Sequence, residues 1–261
     1  MNRLASSSIL TPLMITLDVS LRAAAEDTIA FWQDARNDRV SIEPGQWIEC
    51  FPTDLYDGDS PMLVRDAYKG IAATMLEGCY TNSPDIKKAR SFLIRGTPGI
   101  GKSVFASYLV AYLGHYVENV TVVYYSMYWQ EDGVLVFTAE GPVGYIQHAK
   151  IIDYLCDIEE NGGPVWIIMD NKDPGQGILL PKRRPSRYLV TITSADLASS
   201  TDKWIREWDK HVDCRLLMPA FSLVETEAVA RRYDNDEYDV RWSAITCLVA
   251  PFALSNPTHP F

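Results

Sequence analysis

The chain has 261 residues, 47% hydrophobic and 22% charged, which is the balance of an ordinary globular protein and excludes a disordered or fibrous one. A formal net charge of -10 repels nucleic acid and anionic lipid, so nucleic-acid binding is not supported without a local basic patch. Five scattered cysteines, with no CxxC or Cys/His cluster, support neither a zinc site nor a disulfide framework.

The cysteines read as reduced and mostly buried thiols, which favours a reducing compartment, cytoplasm or nucleus. No apolar run approaches the ~18 residues of a membrane span, so no membrane partner is expected. Arg3, the mildly apolar stretch to Leu17 and Ala23-Ala24-Ala25 loosely imitate a secretion signal. Asp18, Arg22 and a Ser/Thr-rich middle argue against a cleavable one.

In chain order, residues 1–60 read as a partly irregular, proline-bearing lead-in with a helix around Ala23–Ala35. Beyond Pro61, Leu63, Val64, Ala67, Ile71 and Met75 recur at helical spacing. A strand, Phe92-Leu93-Ile94, runs into a glycine loop. The helix after it carries an apolar stripe of Val104, Phe105, Tyr108, Leu109, Tyr112 and Leu113. Strands are predicted at Thr121–Met127 and Val134–Phe137, with a turn at Glu131-Asp132-Gly133 between them. A helix over Tyr145–Ile158 stops at Asn161-Gly162-Gly163, and Val165–Met169 is an apolar strand ending at Asp170. After a Gly/Pro/basic loop from Asn171 to Arg187, a strand is predicted at Tyr188–Thr193 and a helix at Thr201–Lys210. A strand at Arg215–Met218 and a helix at Ser222–Arg231 complete the pattern. Alternating strands and helices, with several strands apolar on both faces, predict an α/β three-layer sandwich with a mostly parallel central sheet. Its core is expected over residues 61–230, followed by a carboxy-terminal tail over 231–261.

The residues Gly96-Thr97-Pro98-Gly99-Ile100-Gly101-Lys102-Ser103 match Gly-x-x-x-x-Gly-Lys-Ser/Thr in full, between a strand and a helix. Glycines there let successive backbone N–H groups face inward and cradle phosphate oxygens. Lys102 is placed for the β- and γ-phosphates, the Ser103 hydroxyl for Mg2+, and the following helix, from Val104 on, adds its positive end. The sequence therefore predicts a P-loop NTPase fold with Gly96–Val104 around a nucleotide. Asp170, ending an apolar strand, is the expected second Mg2+ ligand. The position after it is Asn171, which orients water but cannot take its proton; Asp173 is the substitute acid. Hydrolysis is therefore expected to be slow or absent. Ser194, with Thr193, ends the next strand, either as a hydroxyl that senses the γ-phosphate or as a simple hydroxyl turn. Lys182, Arg183, Arg184 and Arg187 are either a solvated loop or a source of charge for a neighbouring subunit. Arg231 and Arg232 suit the negative end of their helix. Asn171-Lys172-Asp173-Pro174 is out of register and out of place for a guanine-reading motif, which favours ATP.

The run Val64-Arg65-Asp66-Ala67-Tyr68, the segment from Phe92 through Phe105, and Tyr108-Leu109 resemble the NTPase domain of Crinkler-type effectors. The resemblance continues through Ile168–Asn171, Thr193-Ser194, and Leu217-Met218-Pro219-Ala220-Phe221-Ser222 with Glu225. Related NTPase domains occur in retrotransposon hot-spot proteins. The resemblance covers roughly residues 61 to 230, and it implies a secreted effector delivered to the host nucleus. The ubiquitin-like header and the nuclease domain of that family have no counterpart in this sequence. Three readings follow: an ATP-binding switch or slow ATPase that engages a protein partner, an inert interaction protein retaining the fold, and a P-loop kinase.

Overall fold

The computed structural model describes residues 21–49, 52, 54–55, 61–80, 88–126, 133–140, 143–160, 163–170, 186–194 and 210–233. The elements run β1 (Arg22–Ala23), α1 (Glu26–Arg36), β2 (Trp47–Ile48), β3 (Met62–Leu63), α2 (Asp66–Tyr80), β4 (Ser91–Gly96) and α3 (Lys102–Tyr116). They continue β5 (Thr121–Ser126), β6 (Val134–Phe137), β7 (Gly144–Ile146), a 3-10 turn (His148–Lys150), α4 (Ile151–Glu160), β8 (Val165–Asp170), β9 (Arg187–Ser194), β10 (Cys214–Leu217) and α5 (Leu223–Tyr233).

An eight-stranded sheet has the order β1-β7-β6-β5-β8-β9-β4-β10, and β2 and β3 form a separate antiparallel pair. From β5 to β10 every neighbouring pair is parallel; β6, β7 and β1 extend the sheet antiparallel beyond β5. Strand side chains alternate between two cores, as a period of two requires. Phe92, Ile94, Trp166 and Ile168 face α1, α2 and α3, while Leu93, Val165, Ile167 and Leu189 face α4 with its Ile151, Tyr154 and Leu155. The chain leaves β4 for β5 through α3 and returns from β5 to β8 through α4. Right-handed crossovers in opposite directions put those helices on opposite faces. The predicted α/β sandwich with a largely parallel sheet is the observed fold.

Several local expectations change. Leu63 and Val64 are buried, as their spacing suggested, but they precede the helix. Leu63 pairs with Trp47, and Val64 exchanges backbone hydrogen bonds with Gly45 (2.8 Å) and Gln46 (2.9 Å), so α2 starts only at Asp66. The predicted Tyr145–Ile158 helix is shortened for the same reason: Tyr145 pairs with Leu135 on one side and Arg22 on the other. The apolar stripe on α3 is in fact a full jacket, since every residue from Phe105 to Gly114 is buried. Trp32 of α1 packs on Gly114, where a Cβ would collide with its ring, and its Nε1 donates to Thr138 O at 2.9 Å. The described part of the lead-in thus shares the core around α3, with Phe31, Trp32, Ala35, Ile42 and Leu55. Cys79 is a buried free thiol, and Cys214 is a half-buried one. Of the predicted Thr201–Lys210 helix, all but Lys210 lies outside the described residues. Among the described residues, no helix is long and apolar enough to cross a membrane.

Candidate functional site

The parallel strands β5, β8, β9 and β4 end together at Ser126, Asp170, Ser194 and Gly96. Gly96 pairs with Ser194 and Asp170 with Ile192, so the loop after β4 and the acid ending β8 lie on one edge, separated by β9. This carboxyl edge, where consecutive connections depart in opposite directions, is where open α/β sheets bind ligands.

The chain leaves β4 at buried Gly96, passes exposed Thr97, Pro98 and Gly99, dips at buried Ile100, and enters α3 through Gly101. Gly99 and Gly101 have φ of +80° and +83°, a region open to glycine because it has no Cβ. A Cβ on Gly96 would strike the Ile100 side chain, and one on Gly101 would strike the Tyr68 hydroxyl. Lys102, Ser103 and Val104 form the half-buried first turn of α3, whose leading N–H groups have no partner within the helix. The Lys102 ammonium donates to Gly96 O (2.9 Å) and Thr97 O (2.7 Å). Burial lowers the Lys102 pKa, and the charge of Asp170 partly offsets that, which places the two side chains within electrostatic reach. Asp170 itself is 5% exposed.

The remaining sequence candidates divide. The Ser194 backbone is on β9 beside Gly96. Asn171, Asp173, Lys182, Arg183 and Arg184 lie outside the described residues. Arg187 does not belong to the basic loop. It begins β9 at the far edge of the sheet and is paired with Glu159 at 2.6 Å, each side chain 4% exposed. Arg232 does more than face a helix end: it pairs with Glu49 and lies over the Trp47 ring at 4.6 Å.

One group of residues beside the loop carries no role in the sequence reading. Arg65, 1% exposed, donates to Ile100 O (2.8 Å), Pro219 O (3.1 Å) and Ala220 O (2.8 Å). Its Nε and Nη2 also reach Glu225 at 3.2 and 3.3 Å, and its guanidinium lies 4.0 Å from the Phe221 ring centre. Tyr68, in the first turn of α2, donates its phenol O–H to Gly101 O at 2.8 Å. Glu225 also closes a capping box, accepting from Ser222 N (2.7 Å) while Ser222 Oγ accepts from Glu225 N (3.2 Å). The Ser-x-x-Glu spacing was readable as a helix start; that its glutamate also holds Arg65 was not.

A glycine cradle, an ammonium, a hydroxyl and one carboxylate make a set suited to Mg2+ with phosphate. That ion is usually held by one or two protein oxygens, with water and phosphate completing its shell. Among the described residues, no group of three or more His, Cys, Asp or Glu is placed to hold a metal by itself.

No protein-family model and no curated protein sequence matches the chain. Among solved structures, C. elegans PCH-2 is similar over 74% of this chain, with a TM-score of 0.37 and 14% identity. The chain spans 55% of the length of that structure.

Proposed function

We propose that this chain binds a magnesium–nucleoside triphosphate, with ATP favoured, at the loop Gly96–Ser103. The observation that carries the reading is the meeting, at one sheet edge, of a loop with two left-handed glycines, the α3 amino terminus, Lys102 and the buried Asp170. Backbone N–H groups of the loop take the phosphate oxygens, and Lys102 turns from the loop carbonyls to the β- and γ-phosphates. Ser103 and Asp170 hold the ion, which neutralises charge on the β- and γ-oxygens. Ser194 contacts the γ-phosphate from β9. With Asn171 after the metal-binding acid and Asp173 as the substitute, turnover is slow, so the chain acts as a switch read by a protein partner. The resemblance to Crinkler-type NTPase domains supports a role as an effector acting in the nucleus of a host cell.

The test is thermal melting of the wild type and Lys102→Ala with Mg-ATP and Mg-GTP, alongside phosphate release. Ligand at about 100 times its Kd stabilises the native state by ~2.7 kcal/mol. Stabilisation of the wild type alone is expected, larger with ATP. Equal melting of both proteins in every condition refutes the reading.

A further inference from the structure

Resting on the nucleotide reading, we infer that Arg65 and Tyr68 are positioning residues. They turn the Gly101 and Lys102 amides toward the phosphates and tie the loop's geometry to the start of α5. The inference follows from peptide planarity. In a trans peptide the C=O and the following N–H point in opposite directions. Arg65 Nη1 holds the Ile100 carbonyl at 2.8 Å, so the Gly101 N–H is aimed away from the guanidinium. The Tyr68 phenol and Phe105 N–H both donate to the Gly101 carbonyl, at 2.8 and 2.9 Å, so the Lys102 N–H is aimed away from them. Two successive amides are thereby fixed on the side opposite α2, at the head of α3, where the anion site forms.

Neither side chain is free to adjust. Arg65 and Tyr68 are each 1% exposed. The guanidinium is divided between the loop, the turn before α5 through Pro219 O and Ala220 O, and the first turn of α5 through Glu225, and is covered by Phe221. A planar donor fork that makes all these contacts cannot follow one partner without disturbing the other. Phosphate binding and the order of the 219–225 turn are therefore coupled. Coupling between two equilibria is reciprocal: what loosens the turn weakens phosphate binding, and phosphate firms the turn.

Because Arg65→Ala removes all five hydrogen bonds of one buried side chain, its failure to fold would say nothing. Tyr68→Phe and Glu225→Gln are the informative variants. The first removes only a hydroxyl, and the second weakens the tether on the far side of Arg65 from the loop. The experiment measures Kd for Mg-ATP and for magnesium tripolyphosphate by calorimetry, with the ligand-free melting temperature as the control. Both variants are expected to melt close to the wild type and to bind both probes about three- to tenfold more weakly, the worth of one hydrogen bond. The equal loss on tripolyphosphate places the effect at the phosphates and not at the base. Wild-type affinity in both variants overturns this inference while leaving the nucleotide reading intact. A wild type that binds neither probe overturns both.

Discussion

At the scale of single residues, the candidate site depends on backbone directions that few side chains would allow. Gly101 is the sharpest case, because its φ of +83° and the nearness of the Tyr68 hydroxyl both exclude a Cβ. Gly101→Ala is expected to cost about 1–3 kcal/mol, from left-handed backbone strain plus displacement of Tyr68. Urea titration reads that cost, and nucleotide affinity should fall further than the stability loss explains. Lys102 supplies a pH test. Burial lowers its pKa from the ordinary 10.5, so it loses its proton earlier on the alkaline side than an exposed lysine. If its ammonium contacts phosphate, Kd for Mg-ATP rises with increasing pH below the range where ordinary lysines titrate. A Kd flat through that range would remove Lys102 from the phosphate contact.

At the scale of elements, the buried pair between Arg187 of β9 and Glu159 of α4 fastens one helix layer to the sheet at the edge away from the candidate site. Glu159→Ala leaves a guanidinium at 4% exposure without its carboxylate, and costs about 3–5 kcal/mol. Chemical denaturation should show that loss with the Kd for nucleotide unchanged, since the two ends of β9 do different jobs. Arg187 also shows where sequence reading stops. In sequence it adjoins Lys182, Arg183 and Arg184, and a run of cations reads as solvated; its partner Glu159 comes from another layer. The run Gly96–Ser103 was legible because phosphate chemistry dictates residue type and spacing within a few positions. Leu63, Val64 and Tyr145 were misplaced because periodic burial does not by itself distinguish helix from strand when the strand partner is distant. Arg65 was unreadable as a brace because its carboxylate partner, Glu225, lies 160 positions away. The full burial of α3 has no local signature, because small residues such as Gly114 mark a close approach by Trp32 that no local pattern announces.

At the scale of the whole molecule, the stability limit is expected on the alkaline side. Tyr125 and Tyr154 are pushed by burial from the ordinary 10.0 up to about 12. The folded state thus favours their neutral forms, while an unfolded chain ionises them near 10.0. Their contribution is intact below pH 10 and is lost as the pH rises toward 12. Circular dichroism should be lost in that window together with the last phase of the rise in tyrosinate absorbance; tyrosinate absorbance complete well before loss of structure would contradict the burial. The jacket around α3 has a mechanical consequence. A helix enclosed from Phe105 to Gly114 has no room to slide, so the glycine loop it carries is held fixed. Any nucleotide-dependent movement then falls to the wall from Met218 to Glu225, on which Leu223 and Val224 stand 67% and 76% exposed. Hydrogen exchange with and without Mg-ATP should leave the α3 amides alike and slow those of the wall, and a partner that senses the nucleotide would feel it there.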